Sequence, residues 1–347
     1  MTRLRAAIIG YGKMGRIRHD AMDRHGGFET VVACDTFVDP GATIPMVTDP
    51  AEVYAYDPDI VICATPNMMI PDVVCDALAR GKHVFSEKPP GRNSDDVKRM
   101  RAAEAQAGDR VLKFGFNHRF HDAIEDAAKL VEAGTLGDLY FLRGVYGKAG
   151  GPNYAANWRN DPTQSGGGIL IDQGIHMLDL FLMFAGRFKR VQSFIERKFW
   201  TDVPVEDNAF ALMKTEAGVI ASIHSSATQW RHTFRLELYG RNGYASVDGI
   251  LSNSGSYGTE VLTVALNRHD KDGAPIPNPE LQEIRFTDDR SWDKEIAEFH
   301  AAVATGTPVR FGTSQQALDV MELVEAIYAA DDEWTLPNAS TTRSAAE

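Results

Sequence analysis

The chain has 347 residues, 44% of them hydrophobic, enough to bury at least one full core and to predict two domains. Its formal net charge of -12 argues against a nucleic-acid partner, whose phosphates need a basic face, and against an anionic membrane surface, while leaving room for a local basic pocket that takes one small anion. Cys34, Cys63 and Cys75 have neither zinc-type pairing nor disulfide-scaffold density, and no run of ~18 or more consecutive apolar residues marks a membrane span, so buried thiols and a cytoplasmic location are expected.

From Leu4 to about Gly147 strand-like runs (LRAAIIG, ETVVACD, DIVICAT, HVFSE, VLKFGF) alternate with helix-length segments, which predicts a parallel sheet covered on both faces. The first run leads into Gly10-Tyr11-Gly12-Lys13-Met14-Gly15. In this pattern the first glycine permits a tight turn, the second admits a pyrophosphate to the backbone, and the third lets helix pack close to strand. Such a turn also arises for purely structural reasons. Asp35, twenty residues after Gly15, stands where a carboxylate accepts from the adenosine ribose hydroxyls, although it also suits a simple strand cap. No Lys or Arg lies between Thr36 and Pro45 to offset its repulsion of a 2′-phosphate, so NAD is favoured over NADP.

A third strand ends in Ala64-Thr65-Pro66-Asn67, at the strand end where ligands lie in open parallel sheets; its Pro and Asn also fit a plain turn. Ser86-Glu87-Lys88-Pro89-Pro90 then places Lys88 at a strand's C-terminal end, beside a proline that permits a cis peptide. A partly desolvated Lys88 can stabilise negative charge developing on a substrate oxygen; the alternative is a solvated Glu87–Lys88 turn pair. Asn117 and Arg119 follow the strand VLKFG as candidate substrate contacts.

After Gly150 the pattern changes. Tyr154, Trp158 and Arg159 precede a glycine run, and the Trp-Arg pair suits a sugar face with a charged contact to a carboxylate or to a phosphate, as of a nucleotide-activated sugar, or else is an ordinary surface feature. One apolar helix over 169–185 carries Asp172 and His176 four apart, hence on one face, with Asp179 continuing the stripe and no role assigned to it. A satisfied core pair, a metal site and a catalytic pair compete for Asp172 and His176. No third ligand is evident, and an imidazole with a pKa near working pH can take the proton of a hydroxyl as hydride leaves its carbon. Period-two runs follow (Val219, Ala221, Ile223; Phe234, Leu236, Leu238), predicting antiparallel strands with one buried face and His224 on the other. Two helices, 291–304 and 314–330, close the chain before a small polar tail.

Taken together, GYGKMG at 10–15, ATPN at 64–67, EKP at 87–89, GFNHRF at 115–120 and GGGILIDQGIHMLDL at 166–180 resemble the glucose-fructose oxidoreductase / inositol dehydrogenase (Gfo/Idh/MocA) family in order and spacing. The resemblance implies an α/β chain. Residues 1–122 would form a Rossmann doubly wound parallel sheet that binds NAD through Gly10, Gly12, Lys13, Met14, Gly15, Asp35, Thr65, Pro66, Asn67, Glu87 and Lys88. Residues 123–337 would form an α+β domain with a large open, mainly antiparallel sheet that makes homo-oligomers, with the closing helices packing back on the first domain; 338–347 would be a flexible tail. It implies hydride transfer between nicotinamide and a sugar-type substrate lined by Lys88, Asp172 and His176. Many members carry a His after the TPN motif, whereas Met68-Met69-Ile70 stands here, so no chemistry is assigned to that stretch. A lyase or glycosidase using NAD for transient oxidation and a non-catalytic nucleotide sensor are the rival readings; the sensor would have no need of Lys88, Asp172 and His176.

Overall fold

A computed structural model describes residues 3–39, 41–151, 153–252 and 254–335; the expected tail at 338–347 lies outside them. Strands β1 (Leu4–Ile9), β2 (Phe28–Cys34), β3 (Met46–Val47), β4 (Ile60–Cys63), β5 (His83–Glu87) and β6 (Leu112–Gly115) form a parallel sheet in the order β3-β2-β1-β4-β5-β6. Alternate residues go to opposite faces. Ala7, Ile9, Val61 and Cys63 share one core with Val74 of α2 (Ile70–Ala79) and Val97 of α3 (Ser94–Gln106), while Ala6, Ile8, Ile60 and Ile62 share another with Met22 of α1 (Lys13–His25). Burial on both faces is why these strands are continuously apolar. The strand order reverses between β1 and β4, opening a crevice at their C-terminal ends.

After α4 (Asp122–Glu132), a second sheet runs β16-β13-β12-β11-β7-β10-β9-β8, built from β7 (Leu139–Ala149), β8 (Phe188–Glu196), β9 (Asn208–Thr215), β10 (Ile220–Ser226), β11 (Thr228–Gly240), β12 (Gly243–Asp248), β13 (Glu260–Leu266) and β16 (Gln282–Phe286), with a two-stranded hairpin of β14 (Arg268–His269) and β15 (Pro275–Ile276) beside it. Only β7 and β10 pair in parallel; the other neighbours are antiparallel. One face is buried: in β9, Ala209, Ala211 and Met213 point inward and Phe210, Leu212 and Lys214 outward.

The helix expected over 169–185 is not uniform. After α5 (Pro162–Ser165) the chain forms a π-turn, Leu170–Gly174, and only then the α-helix α6 (Ile175–Ala185). The run 162–185 is long and apolar enough to cross a membrane by length and composition, but it lies mostly buried in the core. It is clamped between the sheet, where Gly144 leaves room for Met177 and Phe181, and α8 (Ser314–Ala329). Helix α7 (Ser291–Thr305) packs on α1 and sends Ile296 and Phe299 into the core shared with β1 and β4, while α8 packs on both α3 and α6. All three cysteines are free thiols, with Cys34 and Cys63 buried.

Candidate active site

One cleft runs from the crevice between β1 and β4 to the π-turn. It is lined at one end by Gly10, Gly12, Lys13, Met14 and Asp35, along its length by Thr65, Pro66, Asn67, Glu87 and Lys88, and at the far end by Lys148, Trp158, Arg159, Asp172 and Gln173. The glycine loop has the shape its sequence implies. Gly10 adopts φ +93°, and a Cβ there would meet the Ala64 carbonyl oxygen at 2.5 Å; a Cβ on Gly15 would run into the Gly10 carbonyl. Gly12, by contrast, faces open space and begins α1 with no side chain capping the helix N–H groups. An open cradle of free N–H groups at a helix N-terminus fits a pyrophosphate.

Asp35 Oδ2 accepts from the Tyr11 N–H at 2.7 Å, so the carboxylate also braces the loop. A cation does approach this end, from α1 rather than from the segment after β2: Arg16 pairs with Asp39 at 2.7 Å and lies over the Tyr11 ring. The absence of Lys or Arg between Thr36 and Pro45 therefore does not by itself leave Asp35 without a cationic neighbour. Asn67 donates to the Ser165 carbonyl at 2.8 Å, tying the third strand's loop to α5.

The turn after β5 is held from below. Glu87 pairs with the fully buried Arg18, whose other side meets Glu295 of α7 at 2.7 Å and whose guanidinium lies over Phe85 and Trp292. The Lys88–Pro89 peptide is cis. Lys88 Nζ donates to the Asp172 carbonyl oxygen at 2.7 Å, and burial, helped by Arg159 and Lys148 and opposed by Asp172, pulls its ammonium down to about 8. Glu87 and Lys88 are thus not a solvated turn pair.

Asp172 meets a ring of cations: Lys148 Nζ lies 2.9 Å from Oδ2, Arg159 Nε 3.2 Å from Oδ1 and Lys88 Nζ 4.0 Å from Oδ1, and Gln173 donates to Oδ2 at 3.0 Å. Burial pushes this carboxyl up, but Lys148, Lys88 and Arg159 outweigh it and hold it far below the usual range. His176 turns elsewhere. Its ring stacks on His118, centroids 3.7 Å apart, and its buried Nδ1 has no hydrogen-bond partner among the described residues. Among the described residues no hydrogen bond joins the two: Asp172, inside the π-turn, lines the cleft among its cations, while His176, at the start of α6, is taken by the His118 ring. Asp172 and His176 are therefore not a mutually satisfied pair. Burial, with Lys88 and His121 nearby, keeps His176 well below its usual pKa and neutral.

Of the expected substrate contacts, Arg119, Asn117, Tyr154 and His176 are not among the residues that line the cleft. Arg119 is buried and gives a bidentate pair to Asp179, Nε to Oδ2 at 2.7 Å and Nη2 to Oδ1 at 2.6 Å, which also places the acid that continued the Asp172–His176 stripe without a role. Asn117 is buried between Ser291 and His118, Nδ2 donating to Ser291 Oγ at 3.2 Å and Oδ1 lying 3.2 Å from His118 Nδ1. Neither lines the cleft. Tyr154 stands half-buried against Trp200, ring centroids 4.6 Å apart, away from the lining, whereas Trp158 lies on it beneath the Arg159 guanidinium at 4.4 Å. His224 stacks on Phe210 on the sheet's outer face. Lys148, Asn157 and Gln173 line the cleft and escaped the sequence reading. For Lys148 a signal existed: a cation ending an apolar strand just before the pair Gly150-Gly151.

A family profile described as "Oxidoreductase family, NAD-binding Rossmann fold" matches residues 4–115, and one described as "GFO/IDH/MocA C-terminal domain" matches 124–246. The chain is 27% identical to an inositol 2-dehydrogenase of Gluconacetobacter diazotrophicus over 72% of its own length and 73% of the relative's. It is 25% identical to a D-glucoside 3-dehydrogenase of Escherichia coli K12 over 96% of each. Among solved structures, a levoglucosan dehydrogenase in complex with NADH and levoglucosan superposes with a TM-score of 0.81 at 20% identity, over 95% of this chain and 97% of the other, a likeness of fold.

Proposed function

The chain belongs to the GFO/IDH/MocA oxidoreductase family, and we propose that it moves a hydride between NAD and a secondary hydroxyl, or the matching ketone, of a sugar, inositol or nucleotide-sugar derivative. The observation that carries this reading is the single cleft joining the glycine loop and Asp35 to Lys88 and Asp172. The similar proteins are named as dehydrogenases of an inositol, a glucoside and levoglucosan, which supports a polyhydroxylated ring as the substrate class.

The N–H groups of Gly12, Lys13 and Met14 would hold the pyrophosphate, Asp35 the adenosine ribose, and Thr65, Pro66, Asn67 and Glu87 the path to the reacting end. When bound, NAD supplies the hydride acceptor. Lys88 Nζ, the ionisable group on the lining with a pKa brought toward neutrality, binds the substrate oxygen and takes its proton as the C–OH becomes C=O; in reverse it returns that proton. His176 backs this site as a neutral ring, and Asp172 fixes the cations around it. Asp35 favours NAD over NADP, since Arg16 is already engaged by Asp39. A cytoplasmic enzyme that assembles as a homo-oligomer through the open sheet completes the reading.

The test is to incubate purified protein with NAD and a panel of inositols, glycosides and anhydrosugars, following NADH absorbance. Turnover with net NADH is expected, and Lys88→Met is expected to lose ~10²-fold or more of kcat while keeping NAD affinity. Absence of both turnover and NAD binding overturns the proposal; turnover without net NADH favours the transient-oxidation alternative.

A further inference from the structure

The substrate end of the cleft holds more positive charge than its own carboxylate needs. Asp172 is satisfied by Lys148 at 2.9 Å, yet Arg159 stands at 3.2 Å and Lys88 at 4.0 Å from its other oxygen. Glu87, the other acid at this end of the lining, is taken by Arg18 beneath the sheet. Three cations thus face one available carboxylate, an excess of two positive charges in a chain whose overall charge is -12.

The excess is directed at the cleft rather than buried in a structural network. Asp172 is 9% exposed, whereas the side chains of Lys148 and Arg159 are 23% and 38% exposed and both line the opening. Each has donors to spare. Among the described residues Lys148 Nζ makes a single hydrogen bond, to Asp172, and the guanidinium of Arg159 makes none beyond its close approach through Nε, so both Nη groups are free. The Trp158 ring beneath it fixes the guanidinium plane. A flat fork with two free donors beside a lysine suits a planar or tetrahedral oxyanion, while a neutral sugar hydroxyl would leave that charge unmatched.

We propose that the substrate carries an anionic group, a carboxylate or a phosphate ester, bound jointly by Lys148 and Arg159 with Asp172 as the anchor that aligns them. The proposal rests on the oxidoreductase reading above and narrows its substrate class. It also gives Asp172 a positioning role, since Lys148 and Gln173 already engage Oδ2 and Arg159 stands at Oδ1. Lys88 remains the group that meets the reacting oxygen, so the anionic group marks the end of the substrate away from the carbon that is oxidised.

The experiment is calorimetric titration of the full-length protein saturated with NADH, using D-glucose, D-glucuronate, D-glucose 6-phosphate and UDP-glucose as probes, repeated with Lys148→Met and Arg159→Gln. At least one charged probe is expected to bind ~30-fold or more tightly than D-glucose, with an affinity that falls as salt rises, and each substitution is expected to remove at least ~10-fold of that preference. A preference for glucuronate alone identifies a sugar acid, and a preference for the phosphorylated probes identifies a phosphate ester. Equal affinity for all four, binding by no charged probe, or a preference that survives both substitutions overturns the proposal. The two readings fail separately: if NADH binds and neutral sugars turn over without any charge preference, only the anionic substrate is lost, whereas loss of NADH binding together with turnover removes the oxidoreductase reading itself.

Discussion

Lys88 is where side-chain environment and chemistry meet most directly. Burial is the largest influence on its ammonium, Arg159 and Lys148 add repulsion, and Asp172 and Glu87 only partly compensate, leaving it at about 8 instead of its ordinary 10.5. Oxidation of an alcohol requires the neutral amine as proton acceptor, so kcat/KM for oxidation should rise through about pH 8 and level off above it; ketone reduction requires the ammonium and should fall over the same range. Steady-state pH profiles in both directions check this, and an oxidation rate flat from about pH 6 to about pH 10 would exclude Lys88 as the titrating base. Lys88 could be singled out from sequence because its neighbours are local: a strand, then a Pro. The buried pair of Arg119 and Asp179, sixty residues apart, had no such local signature. Read by itself, Arg119 looked like a substrate contact and Asp179 like an orphan. Paired, they satisfy each other in a place where either charge alone would cost several kcal/mol.

At the scale of elements, the π-turn and its clamp decide where the active-site side chains point. Glu206, buried, accepts from the Gly168 N–H at 2.9 Å, the Leu170 N–H at 2.9 Å and the Tyr328 hydroxyl of α8 at 2.7 Å, so one carboxyl joins the start of the π-turn to the last helix. Removing the hydroxyl donor in Tyr328→Phe should cost about 1–3 kcal/mol in chemical denaturation. Burial, opposed by these donors, raises the Glu206 carboxyl from its ordinary 4.5 to about 7. A raised folded-state pKa means that this group's stabilisation is full below about 4.5 and is lost as pH climbs through about 7. The melting temperature of the wild type should therefore drop more steeply between about pH 5 and about pH 8 than that of Glu206→Gln, and equal slopes would refute the shift. The apolar run 169–185 was legible as a buried helix because its composition demands one. Its π-turn was not, since an extra residue in one turn leaves the apolar pattern intact.

At the scale of the molecule, the parallel sheet and its glycine crevice were readable from continuous apolar runs and a turn motif, because both are local consequences of burial and backbone sterics. The second sheet was readable only as alternation; the parallel pairing of β7 with β10 depends on long-range order that no short pattern records. Alternation also makes an anomaly visible. On β8 and β9 the outward positions, where polar residues are expected, hold Phe194, Phe210 and Leu212, all substantially exposed, with Ile220 beginning β10 beside them. Across the central strands the same face carries a charge ladder, Arg143 and Arg235 on Glu237 and Arg235 on Asp248. An exposed apolar patch bordered by ordered charges has the composition of an interface, and a two-fold axis through such a sheet would lay each patch on its counterpart. Light scattering should then give a mass at least twice that of the chain. The double substitution Phe194→Glu with Leu212→Glu should reduce it to a monomer, because like charges would be forced together at the centre of the contact, while the far-ultraviolet spectrum and NAD affinity stay near wild type. A wild-type mass equal to one chain, or an oligomer that survives both substitutions, would show that this face meets solvent in solution.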